Sequence, residues 1–448
     1  MLQFILFFLS LGLFIFSPDT YNPLFCGICF AVFCFTAIPV LKKDIKEVGL
    51  VNFNLLFLFS FFLCSYAFVV FIYPYVGDFK VSRIANPEYF SKCISLCTLA
   101  ISSYGVGYFL LRNRTEIIYE DFDGRITRES KLLYGLLLPF VIFILVRFLS
   151  TSHDVEIEVQ DSPFLFVLVI SVLAVYFASS THDHRVSVSS LPFFYGNAFV
   201  IISLGFILVL YLIIGDRLFI VESICILLSA YSIFYKRIKW QILLVLVVFG
   251  VVLMSVVRVT RTGDSSLREG DFSAFVEEGQ TIINNDSDIG AWSYFTDLTN
   301  RYSELCGGYE YTVYFGHQYP LKIIAVLFSP FPVLPNVVNS FIYGVPLSAT
   351  SPGRIVARHT MTNAGSHCVI SAYMPWGAIG VILLFFLFGL IIAGITNHHR
   401  HGIIGASFYL TVMAYSIFIP RSSLLDIYRP LTWTFFVIVL LSRIRKIK

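Results

Sequence analysis

The chain has 448 residues, of which 57% are hydrophobic and 13% charged, with net charge +3 and a mean hydropathy of +0.81. No soluble domain hides that much apolar surface, so a bilayer is expected to surround most of the chain. The net charge says little by itself; where the charges sit says more, and no nucleic-acid partner is expected.

Apolar runs divide the chain into about twelve candidate spans. In order these are Leu2–Phe16, Leu24–Leu41, Phe53–Tyr73, Cys93–Leu111, Leu132–Leu149, Phe164–Ala178, Phe193–Ile214, Leu218–Phe234, Gln241–Val257, Met374–Ile395, Ile403–Ile419 and Leu431–Leu441. Backbone groups in lipid must be satisfied within their own segment, so helices are expected, and no alternating pattern argues for a barrel. Met1–Phe16 has no basic leader and no small-residue cleavage site, and reads as a first span rather than a removable signal. The fold class is therefore an all-α integral membrane protein of about twelve transmembrane helices. Residues 1–257 form the main bundle, 258–372 one large external loop, and 373–448 three final helices.

Orientation follows from basic residues. Connections 42–52, 112–131, 179–192, 235–240, 396–402 and the C-terminal tail together hold 17 Lys and Arg, against six on the opposite side. Both termini are expected in the cytoplasm, and the 258–372 loop faces the periplasm or cell exterior. Arg147 and Glu222 lie at similar depth near that face and are candidates to pair, with snorkelling as the alternative.

Within the loop, Trp292, Phe295, Leu298, Tyr302 and Leu305 follow helical spacing, predicting an amphipathic helix ended by Gly307–Gly308. Leu321–Phe328 is apolar apart from Lys322, too short to span, and followed by Pro330, Pro332 and Pro335; it reads as an interfacial or re-entrant piece. Cys306 and Cys368 are candidates for a disulfide if the loop lies in an oxidising compartment.

The loop also concentrates Arg258, Arg261, Arg268, Arg301, Arg354 and Arg358, with Arg421 and Arg429 in the last outward connection. The guanidinium fork suits phosphate oxygens and stays charged. Arg354 and Arg358 are four apart and share a face if helical. The alternative for these arginines is binding ordinary anionic lipid or pairing with Glu304, Glu310 and Asp426. His317, His359 and His367 are the histidines able to take a proton near neutral pH. Asp286 and Asp288 have the spacing of a metal-binding pair but read as a helix cap.

The local sequence Ser351-Pro-Gly-Arg-Ile-Val-Ala-Arg-His-Thr-Met-Thr-Asn-Ala-Gly-Ser-His-Cys runs into Ala372-Tyr-Met-Pro-Trp-Gly-Ala-Ile-Gly, and Ile419-Pro-Arg-Ser-Ser-Leu-Leu-Asp precedes the last span. Together with the one dominant loop, these segments resemble bacterial O-antigen polymerases, the Wzy family. Arg354 to Gly365, and Arg268 to Gly279, have the Arg-x10-Gly spacing that some members carry, although both copies here fall in one loop.

The resemblance implies glycosyl transfer at the outer face of the bacterial inner membrane. A glycan on undecaprenyl pyrophosphate would move onto another lipid-linked oligosaccharide unit. Arg354, Arg358, Arg268, Arg301, Arg421 and Gly365 would bind pyrophosphate or glycan. His359, His367 and Glu304 would be the catalytic candidates. The resemblance implies no cofactor and no metal, and membrane lipids and a chain-length regulator as partners. O-antigen ligase, a flippase for the same lipid-linked units, and a non-enzymatic scaffold are the competing functions.

Overall fold

A computed structural model describes residues 1–76, 86–112, 125–150, 163–180, 196–214, 218–243, 245, 301–360, 366–399 and 402–447. Among these residues the regular structure is helical throughout, with no strand. Helix α1 is Leu2–Ile15, α2 Pro23–Glu47, α3 Phe53–Ser65, α4 Phe90–Leu111, α5 Arg125–Ser150, α6 Pro163–Ser180, α7 Ala198–Ile214 and α8 Leu218–Phe234. After the long gap, α9 is Arg301–Phe315, α10 Lys322–Leu327, α11 Leu334–Tyr343, α12 Pro352–Thr360, α13 Cys368–Asn397, α14 Gly402–Tyr415 and α15 Tyr428–Ile447.

Among the described residues, four helices are long and apolar enough to cross a membrane: Pro23–Glu47, Pro87–Leu111, Cys368–Asn397 and Leu424–Arg443. The expected third span is bent by 53° between Phe53–Ser65 and Ala67–Tyr75. Its second part, Ala67–Ile72, is π-helical, a rare winding that loosens the backbone ladder. Leu2–Ile15, Phe164–Ser180, Ala198–Tyr211, Leu218–Phe234 and Gly402–Tyr415 are apolar but shorter. The expected span Gln241–Val257 falls mostly outside the described residues, as do Trp292, Phe295, Leu298, Asp286, Asp288, Arg258, Arg261, Arg268 and Gly365 and the side chain of Arg147.

Two helices act as hubs. α4 lies against α1, α2 and α13, and α6 lies against α5, α8, α14 and α15. α4 is rich in small residues, and glycines let its backbone come close to α13. A Cβ on Gly107 would sit 2.1 Å from the Phe386 carbonyl oxygen, and one on Gly389 would sit 2.3 Å from that of Tyr104. Backbones can approach this closely in lipid only where glycine stands, because association there rests on packing rather than on expulsion of water. Two α4 serines return their hydroxyls to their own helix, Ser103 to the Leu99 carbonyl at 2.7 Å and Ser102 to the same carbonyl at 3.0 Å.

A buried polar network holds the end of the bundle away from α9. Asp44 accepts from Asn54 at 2.6 Å, from the Tyr108 hydroxyl and from Arg112 at 3.4 Å. Tyr104 donates to Asn54, and Arg112 also reaches Asn397 and Glu47. Residues of α2, α3, α4 and α13 thus satisfy one another's charge and hydrogen-bonding capacity out of water.

Three expectations need correction. α9 is not ended by Gly307–Gly308 but runs through them to Phe315. A Cβ on Gly308 would lie 2.5 Å from Ile370 and 3.2 Å from Val356, so the glycine lets α9 lie tight against α12 and α13. The tenth expected span also begins earlier, at Cys368. It is broken at Gly377, whose φ of 63° and ψ of −154° are non-helical. Cys306 and Cys368 are both free and buried, and the Cys306 side chain faces Cys93 instead.

Candidate functional site

α9, α12 and the start of α13 meet at one end of the bundle. α9 is tied down by Tyr302, which is buried and donates its hydroxyl to the Phe90 carbonyl at 2.8 Å. One turn on, Glu304 is buried and ion-paired with Arg301. Each stands in for solvent around the other, which is what a buried charge requires.

His367 caps α13 and is fully buried. Its Nδ1 accepts the Val369 amide proton at 3.2 Å, so the other nitrogen carries the ring proton in the neutral form. That Nε2 lies 3.1 Å from Ser65 Oγ and donates to it. The ring edge also rests on Phe61, with centroids 5.9 Å apart. Burial, aided by the Arg301 charge, pulls the imidazole down to about 3. Both ring nitrogens are engaged, so in this arrangement neither faces a substrate hydroxyl.

Arg421 enters from the turn Ile419–Arg421, and its charge, with those of Arg301 and Glu304, reaches Cys64 beside Ser65. The structure therefore brings Arg301, Glu304, His367 and Arg421 together at the point where α3 bends.

A second group lies on the other side of α9. α12 is helical, the condition under which Arg354 and Arg358 share a face, and it turns Ile355 and Val356 inward against α9. Arg354 and Arg358 form one stripe, with Arg358 exposed. His359 sits beside that stripe with its side chain 25% exposed, and its Nε2 is 3.8 Å from Glu310 Oε2. Its ring is met edge-on by Tyr311 at 5.5 Å and Phe315 at 6.2 Å. An accessible imidazole with a carboxylate behind it can take up a proton and have the resulting charge stabilised. His359 and His367, grouped by sequence, thus occupy different settings.

An aromatic run, and the pairing of Glu310 with His359 rather than with an arginine, are the features that sequence reasoning missed. Tyr89 and Tyr309 stand 5.6 Å apart, Tyr309 and Tyr373 5.3 Å, and Tyr373 and His317 5.6 Å. His317 fills the space beside the break in α13; a Cβ on Gly377 would lie 3.0 Å from its ring. The only hint in the sequence was the density of tyrosine in 302–319, since no spacing links Glu310 to His359 or Tyr89 to Tyr309.

Comparison with curated proteins and with solved structures finds no match for this chain. A family model described as O-antigen polysaccharide polymerase Wzy matches residues 1–447, and the chain, a multi-pass membrane protein by its helices, belongs to that family.

Proposed function

We propose that this polymerase moves a glycan from undecaprenyl pyrophosphate onto a sugar hydroxyl of a second lipid-linked repeat unit, at the periplasmic face of the inner membrane. The acceptor oxygen attacks the anomeric carbon, the bond from that carbon to the phosphate oxygen breaks, and undecaprenyl pyrophosphate departs. The acceptor proton passes to His359, with Glu310 stabilising the imidazolium. Arg354 and Arg358, with Arg268 and Gly365 as further candidates by the family resemblance, neutralise charge as it develops on the leaving pyrophosphate. About twelve crossings would put both termini in the cytoplasm and the 258–372 loop in the periplasm.

Arg301, Glu304, Arg421 and His367 act in this reading as the frame on which α9 and α13 are held. Glu304 already serves Arg301, and His367 already serves Val369 and Ser65. The run Tyr89, Tyr309, Tyr373 and His317 offers ring faces on which the C–H faces of sugars stack.

The family match across residues 1–447 carries the proposal, since it makes repeat-unit polymerisation the activity to be explained. The geometry that supports the roles is one accessible histidine, backed by a carboxylate, beside two arginines on one helix face. The test is complementation of a deletion strain with Arg354→Ala, Arg358→Ala and His359→Ala, at matched expression. Collapse of the long-chain ladder to single-repeat lipopolysaccharide is expected. Unchanged ladders for all three would sink the assignment, and loss of even the single-repeat band in the deletion strain would indicate a ligase.

A further inference from the structure

The segment 321–343, which contains α10 and α11, carries one charged side chain, Lys322. The two short helices fold back on each other, and the Tyr343 hydroxyl closes the pair by accepting from the Leu321 amide at 2.6 Å.

Its two faces differ sharply. The inner face is polar and satisfied. Lys322 Nζ donates to the Thr350 carbonyl at 3.0 Å, and the buried Asn339 donates Nδ2 to the Val345 carbonyl at 2.8 Å. The outer face is apolar and bare. Ile324 and Leu327 on α10, with Phe328 just after it, and Val337 and Phe341 on α11 recur at helical spacing and are all exposed, as is Val333 between the helices; Phe341 is 90% and Val333 70% exposed. An amphipathic helix pair normally turns its polar side to water. Here the polar side faces the protein, so the remaining side needs an apolar neighbour.

The surroundings identify that neighbour. The connection between α10 and α11 rests on the last helix. Trp433 Nε1 donates to the Pro330 carbonyl at 3.0 Å, and Phe331 and Phe436 have centroids 6.4 Å apart. α15 then continues as an exposed apolar surface through Phe435 and Leu440. The bare face of the hairpin is thus continuous with the flank of a membrane-length helix, and Trp433 and Tyr343 stand where such side chains collect at a bilayer boundary.

We propose that the α10–α11 hairpin lies in the leaflet at the α9 end of the bundle, with Leu327, Phe328, Val337 and Phe341 among acyl chains, and that it thereby holds α12 at the depth of lipid phosphates. The connection to α12 is short and fastened. Thr350 receives Lys322 on its carbonyl and gives its hydroxyl to Asn339 at 3.3 Å, and Pro352 opens α12 two residues later. A hairpin fixed in depth therefore fixes Arg354 and Arg358 in depth. The partner is the bilayer itself, and the inference stands whether or not His359 is the base.

The test uses the full chain in nanodiscs of phosphatidylethanolamine and phosphatidylglycerol. Phe341→Trp and, separately, Ala357→Trp add one fluorophore to the four native tryptophans, and the difference from the parent is read. The Trp at 341 should be quenched several-fold more by lipids brominated on the acyl chain than by aqueous iodide. The Trp at 357 should respond most to a spin label on the lipid headgroup. Stronger iodide quenching at 341 would overturn the proposal. So would insensitivity to both quenchers there, together with copy-to-copy photocrosslinking from Val337, which would make the face a contact between two chains. Quenching at 357 by the acyl bromines rather than by the headgroup label would overturn the depth assigned to α12.

Discussion

His367 Nε2 and Ser65 Oγ, 302 residues apart in the chain, meet at 3.1 Å and join the cap of a broken helix to the last turn of a bent one. The start of α13 is therefore tied to the bend that follows α3. Replacing His367 with Ala removes the Val369 cap and orphans Ser65, at a cost of about 1–3 kcal/mol. His367→Asn should recover part of it, because Asn also caps. Thermal unfolding of purified protein measures the difference, and equal losses for Ala and Asn would mean that the cap contributes nothing.

The same residue predicts a pH dependence. Its pKa in the folded chain is about 3, below the ordinary 6.5. As pH falls through 6.5 the unfolded chain binds a proton that the folded chain refuses until about 3. The His367 contribution is thus complete above pH 6.5 and is lost as pH falls toward 3. Stability curves of the parent and His367→Asn, measured between pH 7 and 4, should converge on acidification.

His359 and Glu310 should behave as one unit. His359→Ala is expected to cut polymerisation by about 10²-fold or more. Glu310→Gln should cut it less, and the double variant no more than His359→Ala alone. Additive losses would separate the two residues. Arg354→Lys distinguishes charge from the forked geometry of guanidinium, and a ladder restored by Lys would show that charge alone suffices.

Gly107→Ala should destabilise by several kcal/mol, roughly the upper range for overpacking, because the clash is with the Phe386 backbone and not with a movable side chain. Gly135→Ala, whose Cβ would meet nothing within 4 Å, is the matched control. Equal melting temperatures would show that α4 and α13 can part at little cost.

Asp44→Ala takes from Tyr108, Asn54 and Arg112 the acceptor they share, leaving Arg112 with Glu47, and should cost about 1–3 kcal/mol. Asp44→Asn keeps a hydrogen-bonding group toward Tyr108 and Asn54 and should cost less. Yield of folded protein in detergent reports both, and a tolerated Asp44→Ala would show that the network carries little of the stability.

What was legible in the sequence is what depends on neighbours in the chain. Apolar runs announced the helices, and the four-residue step from Arg354 to Arg358 announced their shared face on α12. What escaped is what depends on distant partners. Gly307 and Gly308 looked like a stop signal because local propensity favours one, but Gly308 is there for Ile370 and Val356, whose approach no local pattern reveals. His367 looked like a proton acceptor until the fold supplied Val369 and Ser65 to occupy it. Asp44, Arg112 and Asn397, in three separate connections, and Tyr108, near the end of an apolar run, showed no relation until four helices brought them into one network.

The contact of Gly107 with Phe386 and of Gly389 with Tyr104 has a mechanical consequence. α4 and α13 cannot slide or hinge against each other without first separating, so the pair behaves as a single beam running the depth of the bundle. His367 and Tyr373 precede the break at Gly377, so they stand on a separate piece of α13 that the beam does not hold rigid.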